Sequence, residues 1–256
     1  MGIHSVWENT THPFLLKQYK SLNLEAGLKR EVLQRMIYFL VNRLTETRFY
    51  GLENIPKEGN LIVATNHMSR MDIAVLFANP VRPEITALVA DKYVNYFGLS
   101  WFIRTAGAIY LDRDRADFTA FREAQKLIKS GVAMGIAPEG TRSETAQLLQ
   151  GKPGMILLAQ RTNAVIVPVG QSGTEDSFKK MARFRRPRIT ARFGKAFDIP
   201  ELPRENREEA MQTATDEIMC RIAALLPPKY WGFYKDFPRL QELVAEQGGP
   251  YPEEGQ

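Results

Sequence analysis

The apolar and polar positions along the chain alternate between short continuous apolar runs and longer stretches with helical spacing. The short runs predict buried strands, because a strand covered on both faces is apolar at nearly every position. The predicted strands are residues 61–64, 85–90, 106–111, 132–137, 164–169 and 188–193. Helical patterns lie between several of them, which indicates an α/β fold, a single domain with a largely parallel central sheet flanked by helices.

Helical spacing of apolar residues is clearest near the N-terminus. Between residues 27 and 47 apolar side chains recur every four residues, with basic residues around that stripe. Three further helices are predicted at 118–128, at 155–160 after a proline, and at 204–226 before a Pro-Pro pair.

The same patterns divide the chain into three segments. Residues 1–50 are predicted to form an N-terminal amphipathic helical motif, and residues 51–228 the α/β domain. Residues 229–256 form an aromatic and basic C-terminal segment with a flexible tail. No stretch approaches the roughly 18 consecutive apolar residues that a membrane-spanning helix needs, and the N-terminus lacks the features of a secretory signal peptide.

Composition narrows the choice of partners. The 256 residues carry a formal charge of +5 and a pI of about 9.3, which favours anionic partners. A DNA-binding protein is disfavoured, because no recognition-helix or zinc-finger pattern accompanies the charge. The single cysteine, Cys220, excludes an internal disulfide and a thiolate metal cluster, and a cytoplasmic setting is expected. His4 and His12 lie in the N-terminal tail, so we expect no metal site.

The first candidate for chemistry follows strand 61–64 and comprises Asn66, His67 and Asp72. Ligands bind beyond the carboxyl ends of strands in α/β sheets. A carboxylate beside one imidazole nitrogen fixes the tautomer, and the other nitrogen can then take a proton near neutral pH. Residues five apart lie about 140° apart around a helix, so the pair can meet only if His67 lies in a turn and Asp72 in the first helical turn. A purely structural contact is the alternative.

Two further clusters follow later strands, and both are basic. Arg113 follows strand 106–111, and the sequence PEGTRS, residues 138–143, follows strand 132–137. The planar guanidinium of arginine suits phosphate, and a glycine lets backbone approach a ligand. Solvated surface charges and a loop ion pair between Glu139 and Arg142 are the alternatives. Residues 167–169 are predicted to shape an apolar boundary of the site.

In this order the clusters resemble the glycerolipid acyltransferase family, in particular the bacterial 1-acylglycerol-3-phosphate acyltransferases. The four matching blocks are NHMSRMD, GAIYLDR, PEGTRS and VIVPVG, within a resemblance that covers residues 52–195. Lys92 resembles a lysine that the family carries between the first two blocks, and Lys152 with Gly154 resembles its basic-glycine step. Arg70 places an additional cation in the first block, at a position where the family has no fixed residue.

The resemblance implies a membrane-associated enzyme. It would move a fatty acyl group from acyl-CoA or acyl carrier protein to the free sn-2 hydroxyl of lysophosphatidic acid, giving phosphatidic acid. His67 would be the general base and Asp72 would stabilise the imidazolium, with Ser69 as a rival nucleophile. The substrate-binding residues that the resemblance implies are Lys92, Arg113, Glu139, Gly140, Thr141 and Arg142. No cofactor is expected beyond the acyl donor.

Three functions stay open at this stage. The first is acylation of lysophosphatidic acid, and the second is the same chemistry on glycerol-3-phosphate or another lysophospholipid or glycolipid acceptor. The third is a lipid-binding module without catalysis, which the intact pair of His67 and Asp72 disfavours.

The resemblance also implies monotopic attachment to the cytoplasmic face of the cell membrane. Residues 13–24 and 27–47 would form a helical pair embedded in one leaflet, although the second helix could instead pack on the sheet. Residues 229–239 either add a membrane contact or cap the core. The basic residues between Lys179 and Arg188 either attract the anionic acyl donor or form a solvated loop.

Overall fold

The computed structural model describes residues 31–82, 84–90, 103–111 and 117–253. The predictions made for residues 13–24, Lys92 and Arg113 therefore lie outside the described residues. What is described confirms an α/β domain with helices on both faces of a mostly parallel sheet.

Seven strands within the described residues form one sheet, in the order β1-β7-β6-β2-β5-β3-β4. The strands are β1 (Glu46–Tyr50), β2 (Leu61–Thr65), β3 (Thr86–Ala90), β4 (Ile109–Leu111), β5 (Met134–Ile136), β6 (Val165–Ser172) and β7 (Arg188–Phe193). Neighbouring strands are parallel except β6 and β7. All six predicted strands are present, and the burial of most of their residues explains why their apolar runs were visible in the sequence.

Helices cover both faces of this sheet. They are α1 (31–44), α2 (Met71–Phe77), α3 (Phe118–Lys129), α4 (Gly154–Thr162), α5 (Ser177–Ala182), α6 (Arg207–Ala224) and α7 (Pro238–Glu246). On one face, α1 and α2 pack on the sheet in one apolar cluster. On the other face, α3, α4, α6 and α7 form a second cluster.

The N-terminal segment differs from the prediction at its end. The helix stops at residue 44, and residues 46–50 form the edge strand β1, which pairs with β7. Thr45 ends the helix by donating its backbone N–H and its hydroxyl to the carbonyl of Val41. An edge strand that is only half buried lacks a continuous apolar run, so the sequence pattern did not reveal it. Residues 31–50 are therefore part of the α/β domain.

The C-terminal segment also packs into the domain. Tyr230, Trp231 and Tyr234 are buried, and Trp231 donates its indole N–H to the carbonyl of Leu226 at 3.1 Å. Helix α7, which was not predicted, adds further apolar side chains to the same cluster. Of the two interpretations offered for residues 229–239, the structure supports the cap on the core.

Strands β3 and β5 separate toward their carboxyl ends. They pair only at Thr86 with Met134 and at Ala87 with Gly135, after which β3 continues beside β4 alone. Strand β5 meanwhile continues beside β2. A side chain at Gly135 would come within 2.7 Å of the Leu76 side chain, so this glycine lets α2 pack closely at the point of separation. The result is a gap at the carboxyl edge of the sheet.

Candidate active site

A cavity of about 440 Å³ opens at this edge of the sheet, beside the gap between β3 and β5. Its polar part is lined by Thr65, His67, Arg70, Asp72, Asp117, Arg142 and Lys152. The larger, apolar part is lined by side chains from α2, α3, α4 and β3, among them Leu76, Phe77, Val89, Phe121, Ala124 and Leu158. The cavity therefore joins a charged opening to an apolar interior.

His67 and Asp72 meet as the sequence predicted. His67 lies in the turn after β2, and Asp72 is in the first turn of α2. The imidazole Nδ1 lies 3.0 Å from a carboxylate oxygen of Asp72, and the His67 side chain is 14% exposed. Since Nδ1 is hydrogen-bonded to Asp72, the other ring nitrogen, Nε2, is available to exchange a proton with a ligand in the cavity that His67 lines.

Asp72 is held by donors on both of its oxygens. The oxygen that faces His67 also accepts the backbone N–H groups of Met68 and Ser69, each at 2.7 Å. The hydroxyl of Thr174 donates to the other oxygen. Such donors stabilise a buried carboxylate as an anion and fix its position. Thr174 lies 102 residues along the chain, and no sequence signal linked it to this site.

Ser69 is structural in this arrangement. Its side chain is buried, does not line the cavity, and accepts the backbone N–H of Met71 at 3.2 Å. That hydrogen bond satisfies a donor at the start of α2, which is what serine does at helix N-termini. The geometry therefore gives no support to Ser69 as a nucleophile.

Asn66 ties the turn that carries His67 to the neighbouring strand. Its side-chain amide donates to the carbonyl of Gln171 at 2.9 Å and accepts the N–H of Gln171 at 2.8 Å. This reciprocal pair extends the ladder between β2 and β6 beyond the last strand residue. The backbone entering His67 is thereby fixed in a fully buried position.

Glu139 holds the His67 backbone from the opposite side. One carboxylate oxygen accepts the His67 N–H at 2.8 Å, and the other accepts the Leu149 N–H at 2.9 Å. Nearby, the N–H of Ser143 donates to the His67 carbonyl at 2.8 Å. Burial raises the pKa of Glu139 to about 7, although the hydrogen bonds from the Leu149 and His67 backbone act in the opposite direction and lower it. Glu139 does not line the cavity, which differs from the substrate-binding role that the resemblance implied.

The rest of the PEGTRS loop presents charge to the cavity opening. Gly140 has a φ of +70°, and a side chain there would come within 3.2 Å of the Lys152 side chain. Glycine at this position thus leaves room for Lys152 to lie across the loop. Arg142 is exposed and lines the cavity, whereas Thr141 is exposed and does not.

Two predicted features lie away from the cavity. Residues 167–169 are buried in the middle of β6, where Pro168 lies opposite Ala64, and they do not line the cavity. They were expected to shape its boundary, and that expectation was wrong because β6 lies on the far side of β2. Cys220 is fully buried in α6, and burial raises the pKa of its thiol to about 12, as for a packing residue.

The described residues contain neither a metal-binding cluster nor a helix that could span a membrane. No group of three or more His, Cys, Asp or Glu side chains in this part of the chain is placed to hold a metal ion. In the same ranges no helix has both the length and the apolar character required to cross a membrane.

Comparison with known proteins gives consistent matches. Residues 46–172 match the Acyltransferase family. The 1-acyl-sn-glycerol-3-phosphate acyltransferase of Saccharomyces cerevisiae is 31% identical over 181 residues, which cover 68% of this chain and 59% of the yeast protein. The protein of the same name from Bacillus subtilis is 24% identical over 170 residues, which cover 66% of this chain and 84% of the relative. The chain thus spans less than two thirds of the yeast relative.

A solved structure shows the same likeness. The crystal structure of the 1-acyl-sn-glycerophosphate (LPA) acyltransferase from Thermotoga maritima matches with a TM-score of 0.57 and 26% identity. The match covers 74% of this chain and 79% of that one. His67, Asp72 and the PEGTRS loop all lie within residues 46–172. The chain belongs to the acyltransferase family.

Proposed function

We propose that this protein transfers a fatty acyl group from a thioester to the free sn-2 hydroxyl of 1-acyl-sn-glycerol-3-phosphate, giving phosphatidic acid. The observation that carries the proposal is the imidazole of His67, held by Asp72 where the charged opening of the cavity meets its apolar interior. The names of the yeast and bacterial relatives support lysophosphatidic acid as the acceptor.

The proposed chemistry is direct transfer without an acyl-enzyme. Nε2 of His67 takes the proton of the acceptor hydroxyl as its oxygen attacks the thioester carbonyl. The C–O bond forms, the C–S bond breaks, and the leaving thiolate takes the proton back from the imidazolium. Asp72 keeps Nδ1 as the donor nitrogen and stabilises the imidazolium while it exists. The donor is acyl-CoA or acyl carrier protein.

The acceptor's phosphate would bind at the charged opening. Arg142 lines this opening, and a guanidinium can contact two phosphate oxygens at once. Lys92 and Arg113 lie outside the described residues, and their contribution to phosphate binding stays a prediction from the resemblance. Thr141 and Gly140 would help by shaping the loop that presents Arg142.

The acyl chain would occupy the apolar part of the cavity. Small side chains such as Ala87 and Ala124 line it together with larger ones from both sides of the sheet. The separation of β3 from β5 lets the cavity extend between the two core clusters. An alkyl chain placed there leaves water, which favours binding by about 0.8 kcal/mol per buried CH₂.

Helix α1 supports monotopic attachment to the cytoplasmic leaflet. Its inner side, with Leu33, Ile37 and Val41, is buried on the sheet. Its outer side exposes a different set of apolar side chains, namely Val32, Met36, Tyr38, Phe39, Leu40 and Leu44. The buried side agrees with packing on the sheet, and the exposed side supports the interfacial interpretation because it has the apolar character of an interfacial helix.

Acyl transfer by the purified protein tests the proposed function. The assay offers lysophosphatidic acid, glycerol-3-phosphate and another lysophospholipid as acceptors, each with acyl-CoA and with acyl carrier protein. We expect phosphatidic acid as the main product with one of the two donors. A clear preference for a different acceptor, or no transfer from either donor, would overturn the proposal.

A further inference from the structure

The segment from residue 176 to residue 186 comprises helix α5 and the residues that flank it, and we call it the basic loop. It lies at the same edge of the sheet as His67. Strand β6 is parallel to β2, and β7 returns antiparallel to β6 with Thr190 opposite Ser172. The connection between β6 and β7 therefore lies at the carboxyl ends of β2 and β6. Thr174, at the start of this connection, donates to Asp72. The basic loop therefore begins two residues after a residue that contacts the site.

Two phenylalanines of the basic loop face water. Phe178 is 53% exposed and Phe184 is 100% exposed. Phe184 also has a φ of +57°, a backbone region that bulky residues rarely adopt. The other described non-glycine residues with positive φ are smaller, namely Ala146, Asn163 and Asn206. A strained, fully exposed aromatic contributes nothing to folding, which indicates that its use lies in binding.

The same loop is strongly cationic. It contains five cations and one anion, namely Lys179, Lys180, Arg183, Arg185 and Arg186 against Asp176. Lys179 lies 3.6 Å from Asp176, both largely exposed. Lys180, Arg183 and Arg185 are exposed, and no carboxylate of the described residues forms a salt bridge with them. Most of this charge therefore faces solvent without a counter-ion from the chain.

Arg186 connects the basic loop to helix α1. Its guanidinium donates to the carbonyl of Asn42 at 2.8 Å and to the carbonyl of Thr45. A cation on the last carbonyls of a helix satisfies acceptors that have no partner within the helix. The exposed apolar side of α1 and the exposed phenylalanines of the basic loop are thus joined at one end of the molecule.

We propose that the basic loop is a second membrane-docking element, which binds the headgroups of anionic lipids and inserts Phe184 into the interface. Together with α1 it would hold the edge of the sheet that carries His67 against the bilayer. The inference goes beyond the proposed function and rests on it only for the reason to dock, since a lysolipid acceptor resides in a membrane. Aromatic rings beside cations match a surface of anionic headgroups over an apolar layer.

An acidic protein is the competing occupant, since acyl carrier protein would also be attracted by these cations. We favour the bilayer as the occupant because the basic loop is joined to the exposed apolar side of α1. The apolar side chains there carry no positive charge to attract an acidic protein. The position of Phe184 also suits insertion into a soft interface, because no groove or neighbouring apolar side chain encloses it.

Charge reversal on the loop, with a matched control, tests the proposal. Lys180→Glu with Arg183→Glu is compared with Lys126→Glu and Lys129→Glu, which change charge equally at the far end of α3. Co-sedimentation uses phosphatidylcholine vesicles with and without phosphatidylglycerol. With one surface cation worth about fivefold in affinity for anionic vesicles, the loop variant should bind at least about twentyfold more weakly, and the control near wild type. Equal losses in both variants would overturn the proposal.

Phe184→Asn separates binding from folding. Asparagine tolerates the left-handed backbone, so this variant should unfold at the same or a higher temperature than the wild type. Its affinity for anionic vesicles should nevertheless fall about five- to tenfold, because the inserted ring is lost. Unchanged vesicle affinity in Phe184→Asn would show that the ring does not insert, and this too would overturn the proposal.

Two further measurements distinguish membrane docking by the basic loop from the proposed acyl transfer. With a short-chain lysophosphatidic acid kept below its micelle concentration, the Lys180→Glu and Arg183→Glu variant should retain the wild-type kcat. Absence of transfer in wild type and variant alike would contradict the proposed function while leaving vesicle binding as an independent result. Loss of binding to acyl carrier protein with vesicle binding intact would assign the loop to the donor and overturn membrane docking.

Discussion

Asp72 shows how much of this site depends on single hydrogen bonds. One carboxylate accepts from the imidazole of His67, from two backbone N–H groups and from the hydroxyl of Thr174. Asn66 and Glu139 then fix the backbone on either side of His67. A general base gains from such support because its position and tautomer are set before the substrate arrives.

Replacement of His67 by alanine should abolish most of the transfer activity with the fold intact. Loss of a positioned base typically costs 10²–10⁴-fold, or about 3–5 kcal/mol. Asp72→Asn should fall less far, since the imidazole remains although the carboxylate that fixes its tautomer and stabilises its charge is lost. Single-turnover rates with circular dichroism as the folding control measure both effects. Near-normal turnover in folded His67→Ala would exclude it as the base.

The stability of the protein should depend on the titration of Glu139. Its pKa rises from an ordinary 4.5 to about 7 on folding, so the folded state holds a proton that the unfolded state has released between those pH values. Stability contributed by this proton is therefore lost as pH rises from about 4.5 to about 7, by roughly 3 kcal/mol. Urea unfolding of wild type and Glu139→Gln across this range measures it.

The result is the difference in free energy of unfolding between the wild type and Glu139→Gln at each pH. The wild type should lose stability relative to Glu139→Gln as pH rises, because glutamine does not titrate. Glu144→Gln, an exposed change on the same loop, controls for the loss of one negative charge. Parallel pH profiles for wild type and Glu139→Gln would contradict a raised pKa at this carboxyl.

Arg142→Ala should raise the KM for the acceptor and leave that for the donor nearly unchanged. A charged hydrogen bond to phosphate contributes about 1.5–3 kcal/mol, which corresponds to a ten- to hundredfold increase in KM. Arg161→Ala, on α4 away from the cavity lining, is the control. If the KM for the donor rises instead, Arg142 contacts the phosphates of CoA.

At the scale of elements, helix α1 carries two apolar faces with different tasks. The inner face completes the core beside β7 and α2, and the outer face remains exposed. A helical hydrophobic pattern alone cannot separate these tasks, because spacing by four residues occurs on both faces.

Substitutions on the two faces of α1 should therefore act on different properties. Met36→Ser with Phe39→Ser should weaken vesicle binding by about tenfold or more with little change in stability, since both side chains are exposed. Ile37→Ala should lower the free energy of unfolding by about 2–5 kcal/mol, because Ile37 is buried. Vesicle co-sedimentation and urea unfolding measure the two effects. Unchanged vesicle binding in the Ser variant would exclude the outer face as a docking surface.

At the scale of the whole molecule, a group of cations and exposed apolar side chains lies at the edge of the sheet that carries the cavity. The carboxyl edge of the sheet carries the cavity, the basic loop and the last turn of α1. A formal charge of +5 over 256 residues is modest, so its effect on docking depends on this local group of cations.

Deletion of residues 1–30 should leave a folded protein that binds vesicles more weakly than the intact chain. Deletion of residues 1–48 should instead prevent folding, because it removes the buried side of α1 and three of the five residues of β1. Thermal unfolding and vesicle co-sedimentation of both proteins test these outcomes. Binding as tight as that of the full chain after deletion of 1–30 would mean that α1 and the basic loop suffice for docking.

Much of this protein could be predicted from the sequence alone. The strand cores were visible because buried parallel strands are apolar throughout, and the pairing of His67 with Asp72 followed from local spacing around one turn. Both are short-range properties of the chain. The order of the polar clusters likewise pointed to the acyltransferase family before any geometry was known.

Only the tertiary structure decided which distant residues meet. Thr174 reaches Asp72 from 102 residues away, and Arg186 reaches the end of α1 from more than 140. Glu139 accepts a hydrogen bond from the His67 backbone. Strand β1 pairs with β7 although its sequence contains no apolar run that predicts a strand. Such contacts depend on how strands are ordered and separated in the sheet, and that order arises from packing between segments that local patterns cannot relate.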